Sequence, residues 1–431
     1  MLPLHGIGSR QDLPLPFEFV LGGAVAALIL SFVLLVWAWR RPRWTRDSGL
    51  PLPRLTRLVD TAWFRWSARV AFAVPFAAAA LGLWAGQDRL TNPVFRFVFV
   101  LMWVGLVPFS LLLGPAWRAL NPLRLIALPG TARATPSPVL KRLGVWPAAG
   151  ALLAFAWLEL VQPGNSTLPV MRIWALAWLA WTILPALRLG GGWIGAADPF
   201  EVFATTVSRL SPWRRVEDTI CLVNPLRGLL QQPWPPGSAA VVCVLLGTTA
   251  YDSFSGTTWW VTTVQGSDVP GAVWATAGLI GLTGIVAALF AIGCLAMRPA
   301  LRTASSMARL TREMAPSVVP IVVGYSIAHY LTLLVIEGQR AAIQLSDPLG
   351  KGWNLFGTAE LGVDARLANA PGLVAIIQLG AIVGGHILGI MTAHERSVQL
   401  LRPERQVVGQ LGMLTIMVAF TCAGLLLLFS P

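Results

Sequence analysis

Long apolar runs, separated by short polar stretches rich in proline and arginine, make up most of this sequence. Runs of about 20 residues are long enough at about 1.5 Å per residue to cross the hydrocarbon of a bilayer. They recur near 17–39, 68–87, 93–113, 145–162, 169–188, 237–260, 271–296, 317–338, 371–393 and 406–429. The pattern predicts an all-α fold: a polytopic membrane helical bundle of about ten transmembrane helices. Residues 17–431 then form a single integral membrane domain behind a polar tail, 1–16. The first run is too long for a cleaved signal peptide, and its basic cluster (Arg40, Arg41, Arg43, Arg46) follows it. It reads as an anchor with the N-terminus outside.

Charge tests the ladder. With the N-terminus outside, the segments on the cytoplasmic side hold 25 of the 32 basic residues, against 7 on the other side. This is the bias of the positive-inside rule, and it places both termini outside. The net charge of +13 therefore belongs to topology and anionic headgroups; no nucleic-acid surface is read from it. Charged residues are only 12% of the chain and hydrophobic ones 55%, which excludes a soluble enzyme and a disordered chain. Cys221, Cys243, Cys294 and Cys422 are far apart and are expected as free thiols. Trp37, Trp39, Trp44, Trp259 and Trp260 fit interfacial belts.

The connecting segments carry a local echo. Leu113-Gly114-x-x-Trp117 precedes Asn121-Pro122, and Leu189-Gly190-x-x-Trp193 precedes Asp198-Pro199. Asp198-Pro199-Phe200-Glu201 orders an N-cap, an N1 proline and a capping-box acid, and predicts a short interfacial helix on the inner leaflet. Two five-span halves of opposite starting orientation have the topology of an inverted repeat, without sequence similarity between them.

Ionisable groups inside spans are costly and become functional candidates. His329 lies near the middle of the eighth run and His386 near the middle of the ninth; Asp252 falls in the outer half of the sixth. Tyr325, four residues before His329, shares its helix face. Two imidazoles and a carboxylate are a donor set for a zinc-like divalent ion with one open position for water. The spacing of Asp252, His329 and His386 matches no helix-borne metal motif, and a hydrogen-bonding role for each histidine stands beside the chemical one. Glu159 and Glu337 lie close enough to outer span ends to snorkel. His394 reads as a helix-end cation at the inner headgroups. Gly380, Gly384, Gly385 and Gly389 give the ninth run faces for close helix approach. The long outer segment 339–370 is a candidate cover for an outward pocket.

Several of these strings, taken in order, resemble a family of actinobacterial multi-pass membrane proteins known as fenitrothion hydrolases. The resemblance rests on His5-Gly6-x-Gly8-x-Arg10-Gln11-Asp12-Leu13-Pro14-x-Pro16, Asp198-Pro199-Phe200-Glu201-Val202, and Tyr251-Asp252-Ser253-Phe254. It continues in Gly324-Tyr325-x-x-Ala328-His329-Tyr330 and Gly385-His386-x-x-Gly389-x-x-x-Ala393-His394, so it runs nearly end to end. It implies hydrolysis of a lipophilic phosphorothioate triester by a protein of the bacterial cell membrane, and it assigns no catalytic residue.

The expectation is a membrane hydrolase, metal-assisted, with Asp252 and His329 catalytic and Tyr325 bonding the oxyanion or leaving group. Asp252, His329 and His386 would hold the ion. Its partners would be lipids and a small lipophilic substrate. One rival is a secondary transporter or channel, with the same residues lining a midplane pathway. The other is an accessory protein carrying haem or copper on His329 and His386.

Overall fold

Every one of the ten apolar runs becomes helix. The computed structural model describes residues 13, 15–44, 49–126, 138–231 and 233–429; the rest of the 1–16 tail lies outside the described residues. The helices used below are α1 (Phe17–Ala38), α2 (Ala62–Ala85), α3 (Pro93–Val104), α4 (Leu106–Leu113), α5 (Trp146–Leu160), α6 (Leu168–Leu189) and α7 (Pro199–Ser208). They continue with α8 (Ser238–Ser255), α9 (Gly271–Met297), α10 (Val319–Leu345), α11 (Pro371–Leu400) and α12 (Gln406–Phe429). The protein is an all-α membrane bundle. Among the described residues eight helices are long and apolar enough to cross a bilayer alone, and α3 with α4 makes a ninth, bent by 46°.

The bend has a local cause. Pro108 in α4 has no N–H to give and crowds the carbonyl four residues back, so a regular ladder fails at Val104. The chain answers with a π-helical stretch, Phe97–Val104, closed by Gly105 N bonding Val100 O at 2.8 Å. The fourth expected span, α5, is the short one, with only 15 residues. It nevertheless runs the length of α8. Val145 N bonds Pro236 O at 2.8 Å beside the start of α8. At the other end Ala156 and Val161 cluster with Tyr251. Phe17 and Phe429 have ring centroids 6.5 Å apart, so the first helix begins where the last one ends.

The sixth run divides. Its helix stops at Ser255, and a separate helix, Thr258–Gln265, begins under a Thr257 cap bonded by Trp260 N at 3.4 Å. Trp259 is exposed, as a belt residue should be, but Trp39 and Trp44 are buried. Glycines set the contact between α10 and α11. A Cβ on Gly324 would collide with Ala381 O, and one on Gly385 would lie 2.6 Å from Pro320 O. Gly380 and Gly384 face open space, so only half of the predicted small-residue stripe is used.

A small sheet was not legible in advance. β1 (Gly49–Pro51), β2 (Trp213–Val216) and β3 (Thr219–Val223) pair antiparallel in the order β1-β3-β2. Glu217 and Asp218 both have positive φ, the conformation a two-residue hairpin needs. Arg215 pairs with Asp60 at 2.5 Å.

The predicted interfacial helix is in the wrong place. Asp198 does cap α7, accepting from Phe200 N at 3.3 Å, but α7 is buried along nearly its whole length. Apolar residues all round it (Phe200, Val202, Phe203, Val207) need protein on every side rather than one wet face. Trp178, near the middle of α6, donates to Asp198 Oδ1 at 3.1 Å. The cap therefore sits well inside the bundle. The sequence echo also has a physical counterpart: Gly114 (φ +68°) ends α4 and Gly190 (φ +83°) ends α6. Each is followed by a buried tryptophan and then by Asn121 or Asp198, which touch each other.

Candidate functional site

Asp252 and Ser253 occupy the last turn of α8, and Tyr325, His329 and Tyr330 project from α10. Their polar atoms form one chain. Tyr325 Oη lies 2.7 Å from Ser253 Oγ, and Ser253 Oγ lies 3.1 Å from His329 Nδ1. His329 Nε2 is 3.0 Å from Asp252 Oδ2, and Tyr330 donates to the same oxygen at 2.8 Å. Asp252, His329, Tyr325 and Tyr330 are buried, whereas Ser253 is half-buried. The Tyr325 ring stacks on His329 at 5° between planes, and Tyr330 meets the imidazole edge-on at 4.6 Å.

Donor and acceptor chemistry gives this chain a direction. A carboxylate only accepts, so a proton on Nε2 satisfies the His329–Asp252 contact; a lone pair there would face a negative oxygen. Nδ1 is then the acceptor and Ser253 O–H its donor. Ser253 Oγ in turn accepts from Tyr325. An ionised Asp252, a neutral His329 and three hydroxyls satisfy this chain when the Ser253 proton goes to His329 Nδ1 at 3.1 Å rather than to its longer alternative acceptor, Thr249 O at 3.4 Å. The result is a serine hydroxyl polarised toward an imidazole, which is oriented by a buried carboxylate: the arrangement that nucleophilic catalysis requires. His329 uses the opposite nitrogens from the familiar serine-protease triad, but the roles depend on geometry and not on atom labels.

Three of the residues expected from sequence (Asp252, His329, Tyr325) are therefore brought together. His386 is not hydrogen-bonded into this group. It is buried, its Nδ1 faces Ile382 O at 2.9 Å, and its Nε2 has no partner. Among the described residues no three His, Cys, Asp or Glu side chains stand as a set that would hold an ion. Ser253 and Tyr330 were missed, although both adjoin chosen residues. A signal was available: the chain has only three tyrosines, and Tyr251, Tyr325 and Tyr330 all lie in or beside this site.

Most of the other polar residues expected inside spans serve separate networks. Glu337 does not snorkel. It is fully buried and held by Arg96 and Arg340, each at 2.5 Å. Glu159 is half-buried on the last turn of α5, within electrostatic range of Asp252. His394 is not exposed either: it is buried between Trp39 O, at the end of α1, and Gln410 Oε1. At the tip preceding α7, Asn121 Nδ2 donates at 3.0 Å to both Asp198 and Glu201. Arg124 grips Glu201 through two nitrogens, so the expected capping-box acid is spent on an ion pair. All four cysteines are free.

Comparison of the chain with protein-family models, curated proteins and solved structures finds no significant match.

Proposed function

We propose that this membrane protein is a hydrolase of lipophilic esters, in which Ser253 is the nucleophile, His329 the general base and Asp252 the group that orients and charges it. The observation that carries this reading is the unbroken run of hydrogen-bond distances from Tyr325 through Ser253 and His329 to Asp252. Burial supports it: the base and acid are shielded while the nucleophile is partly open. The resemblance to fenitrothion hydrolases suggests a phosphorothioate triester as substrate and the bacterial cell membrane as location. An oily triester concentrates in the bilayer where this site lies.

The steps balance without a further reagent. His329 Nδ1 takes the Ser253 proton as Oγ attacks phosphorus, and the imidazolium is stabilised by Asp252. The P–O bond to the leaving group breaks, and the leaving oxygen receives that proton. Water, deprotonated by the same nitrogen, then attacks the phosphoryl-serine; the Ser253 O–P bond breaks and Oγ recovers the proton. Tyr325 O–H loses its acceptor as Ser253 attacks and can turn to the oxygen or sulfur where charge develops.

The test is covalent. Detergent-purified protein treated with a fluorophosphonate should carry the adduct on Ser253, located by peptide mass spectrometry. Ser253→Ala should abolish it, and His329→Gln should slow it at least about a hundredfold, the scale of a positioned acid–base group. An unmodified Ser253 in protein that still hydrolyses the triester would sink the reading. A proton-coupled transporter is the second reading. It is favoured by α7, whose cap lies inside the bundle beside Asp198 and Glu201, as broken helices do in transporters. Substrate flux in proteoliposomes that survives Ser253→Ala but not Asp252→Asn would select it.

A further inference from the structure

The short helix Pro53–Asp60, between β1 and α2, contains no buried residue. The bundle covers other amphipathic segments: α7 is wrapped, and the helix Met307–Met314 turns Leu310 and Met314 into the core. At about 100° per residue the side chains of Pro53–Asp60 sort into four directions. Thr56 and Val59 are half-buried on the sheet side, where Thr56 Oγ1 accepts from Ile220 N at 2.9 Å. Leu55 and Leu58 lie about a quarter-turn away and are 36% and 48% exposed. Arg54 and Arg57 come next round the helix and are exposed. Pro53 and Asp60 point away from the leucines, and Asp60 pairs with Arg215. Its neighbours set the level of this helix. Leu50 before it, and Trp63 and Trp66 in the first turns of α2, are each more than half exposed. Exposed tryptophans at the end of a span mark the headgroup layer. Charge complements that layer: from Arg40 to Arg69 the chain carries eight arginines against two aspartates.

We propose that Pro53–Asp60 lies flat on the membrane surface beside α2 and binds anionic phospholipids. Leu55 and Leu58 enter the acyl chains, as the apolar face of an interfacial helix does. Arg54 and Arg57, on the flank, donate to lipid phosphates, which guanidinium groups match in geometry and charge. The leaflet is the inner one by the positive-inside bias. The helix is already held at this angle: Thr56 ties one flank to β3, and Asp60 is drawn to Arg215 on the side away from lipid. An interfacial helix therefore does exist, with a partner of its own, although it is not the one that Asp198 caps. The proposal rests on the membrane bundle and is independent of the Ser253 reading.

The experiment attaches an environment-sensitive fluorophore to Leu58→Cys and, separately, to Pro53→Cys. The full chain is reconstituted into vesicles of phosphatidylcholine and phosphatidylglycerol, and wild-type protein treated alike corrects for the native thiols. Brominated lipids and aqueous iodide are the quenchers. The Leu58 probe should be quenched by brominated chains and shielded from iodide, and the Pro53 probe should behave in the opposite way. At equal fractions, brominated phosphatidylglycerol should quench the Leu58 probe more than brominated phosphatidylcholine. Arg54→Gln together with Arg57→Gln should lower that preference at least about fivefold, the scale of one arginine at an anionic surface. Salt at about 1 M, which screens charges beyond about 3 Å, should do the same. Iodide access at Leu58 overturns the docking. Shielding from iodide and lipid alike also overturns it, since protein, such as a second copy of the chain, then covers this face. Equal quenching by the two lipids overturns the selection of anionic headgroups. The substituted side chains are all exposed, and Leu55→Cys repeats the test if Leu58→Cys does not purify.

Discussion

His329 and His394 are both buried in the bundle, yet their partners ask opposite things of the ring. His329 faces an acceptor at Nε2 and a hydroxyl at Nδ1, so one proton satisfies it and leaves a lone pair for chemistry. His394 faces Trp39 O at 2.8 Å through Nε2 and Gln410 Oε1 at 2.9 Å through Nδ1. The amide of Gln410 cannot turn to help, because its nitrogen is committed to Gln406 O at 2.7 Å. Both nitrogens of His394 therefore meet acceptors, and the ring satisfies them in full only with a proton on each. The next residue in the chain anchors the same helix end. Glu395, fully buried, accepts from Trp39 Nε1 at 2.7 Å, Trp44 N at 2.9 Å and Arg43 N at 3.0 Å. One histidine is poised to exchange a proton; the other is saturated and ties the end of α1 to α11 and α12.

The widest separation between the two should come from paired substitutions read by Ser253 labelling. Asp252→Asn keeps the size of the side chain but offers His329 an amide, so labelling should fall at least about a hundredfold. His394→Gln should leave the rate within about threefold, because nothing in its network reaches Ser253. Equal losses would mean that both histidines act structurally, and the contrast would collapse.

Stability should reverse the ranking. Glu395→Gln removes the carboxylate that Trp39, Arg43 and Trp44 share and leaves donors facing an amide N–H. Breaking a buried charge network of this kind costs about 3–5 kcal/mol. Trp39→Phe, which keeps the ring but loses one bond to Glu395, should cost about 1 kcal/mol. Denaturant unfolding in detergent measures both. A Glu395→Gln protein as stable as wild type would show that the α1 clamp is dispensable.

Much of this was legible from residue order alone. The ten helices follow from run length, and the cap at Asp198 follows from its proline and neighbours. Asp252, His329 and Tyr325 follow from the cost of placing polar groups in lipid. The failures share a physical cause: periodicity says where a helix is, not what lies beside it. Glu337 looked free to snorkel because Arg96 is 241 positions away in sequence. His394 looked wet because Trp39 and Gln410 come from other helices. Helix α7 carried the signature of a surface helix, and only the tertiary fold wraps it. The sheet escaped because β1 has three residues and meets β3 only after the chain has run through α2 to α7.

The smallest effect belongs to an exposed contrast to these buried networks. Asp364, in the segment after α10, is held by Arg366 at 2.6 Å, and that hydrogen bond above all lowers its carboxyl from 3.8 to about 2. A folded pKa depressed in this way stabilises the segment at every pH above the unfolded value. The contribution fades only as pH falls from about 3.8 through about 2. Near neutrality it is constant, so it cannot account for any pH dependence of the site. Arg366 is 91% exposed, and screened pairs of this kind contribute little. The segment is also tied to α10 by Gln339, which bonds Asp364 N at 2.9 Å and its carbonyl at 3.1 Å. Arg366→Gln should therefore raise the Asp364 midpoint toward 3.8, followed by carboxyl NMR, without altering Tm or Ser253 labelling. A midpoint that stays near 2 in the variant would mean that something other than Arg366 holds the carboxylate.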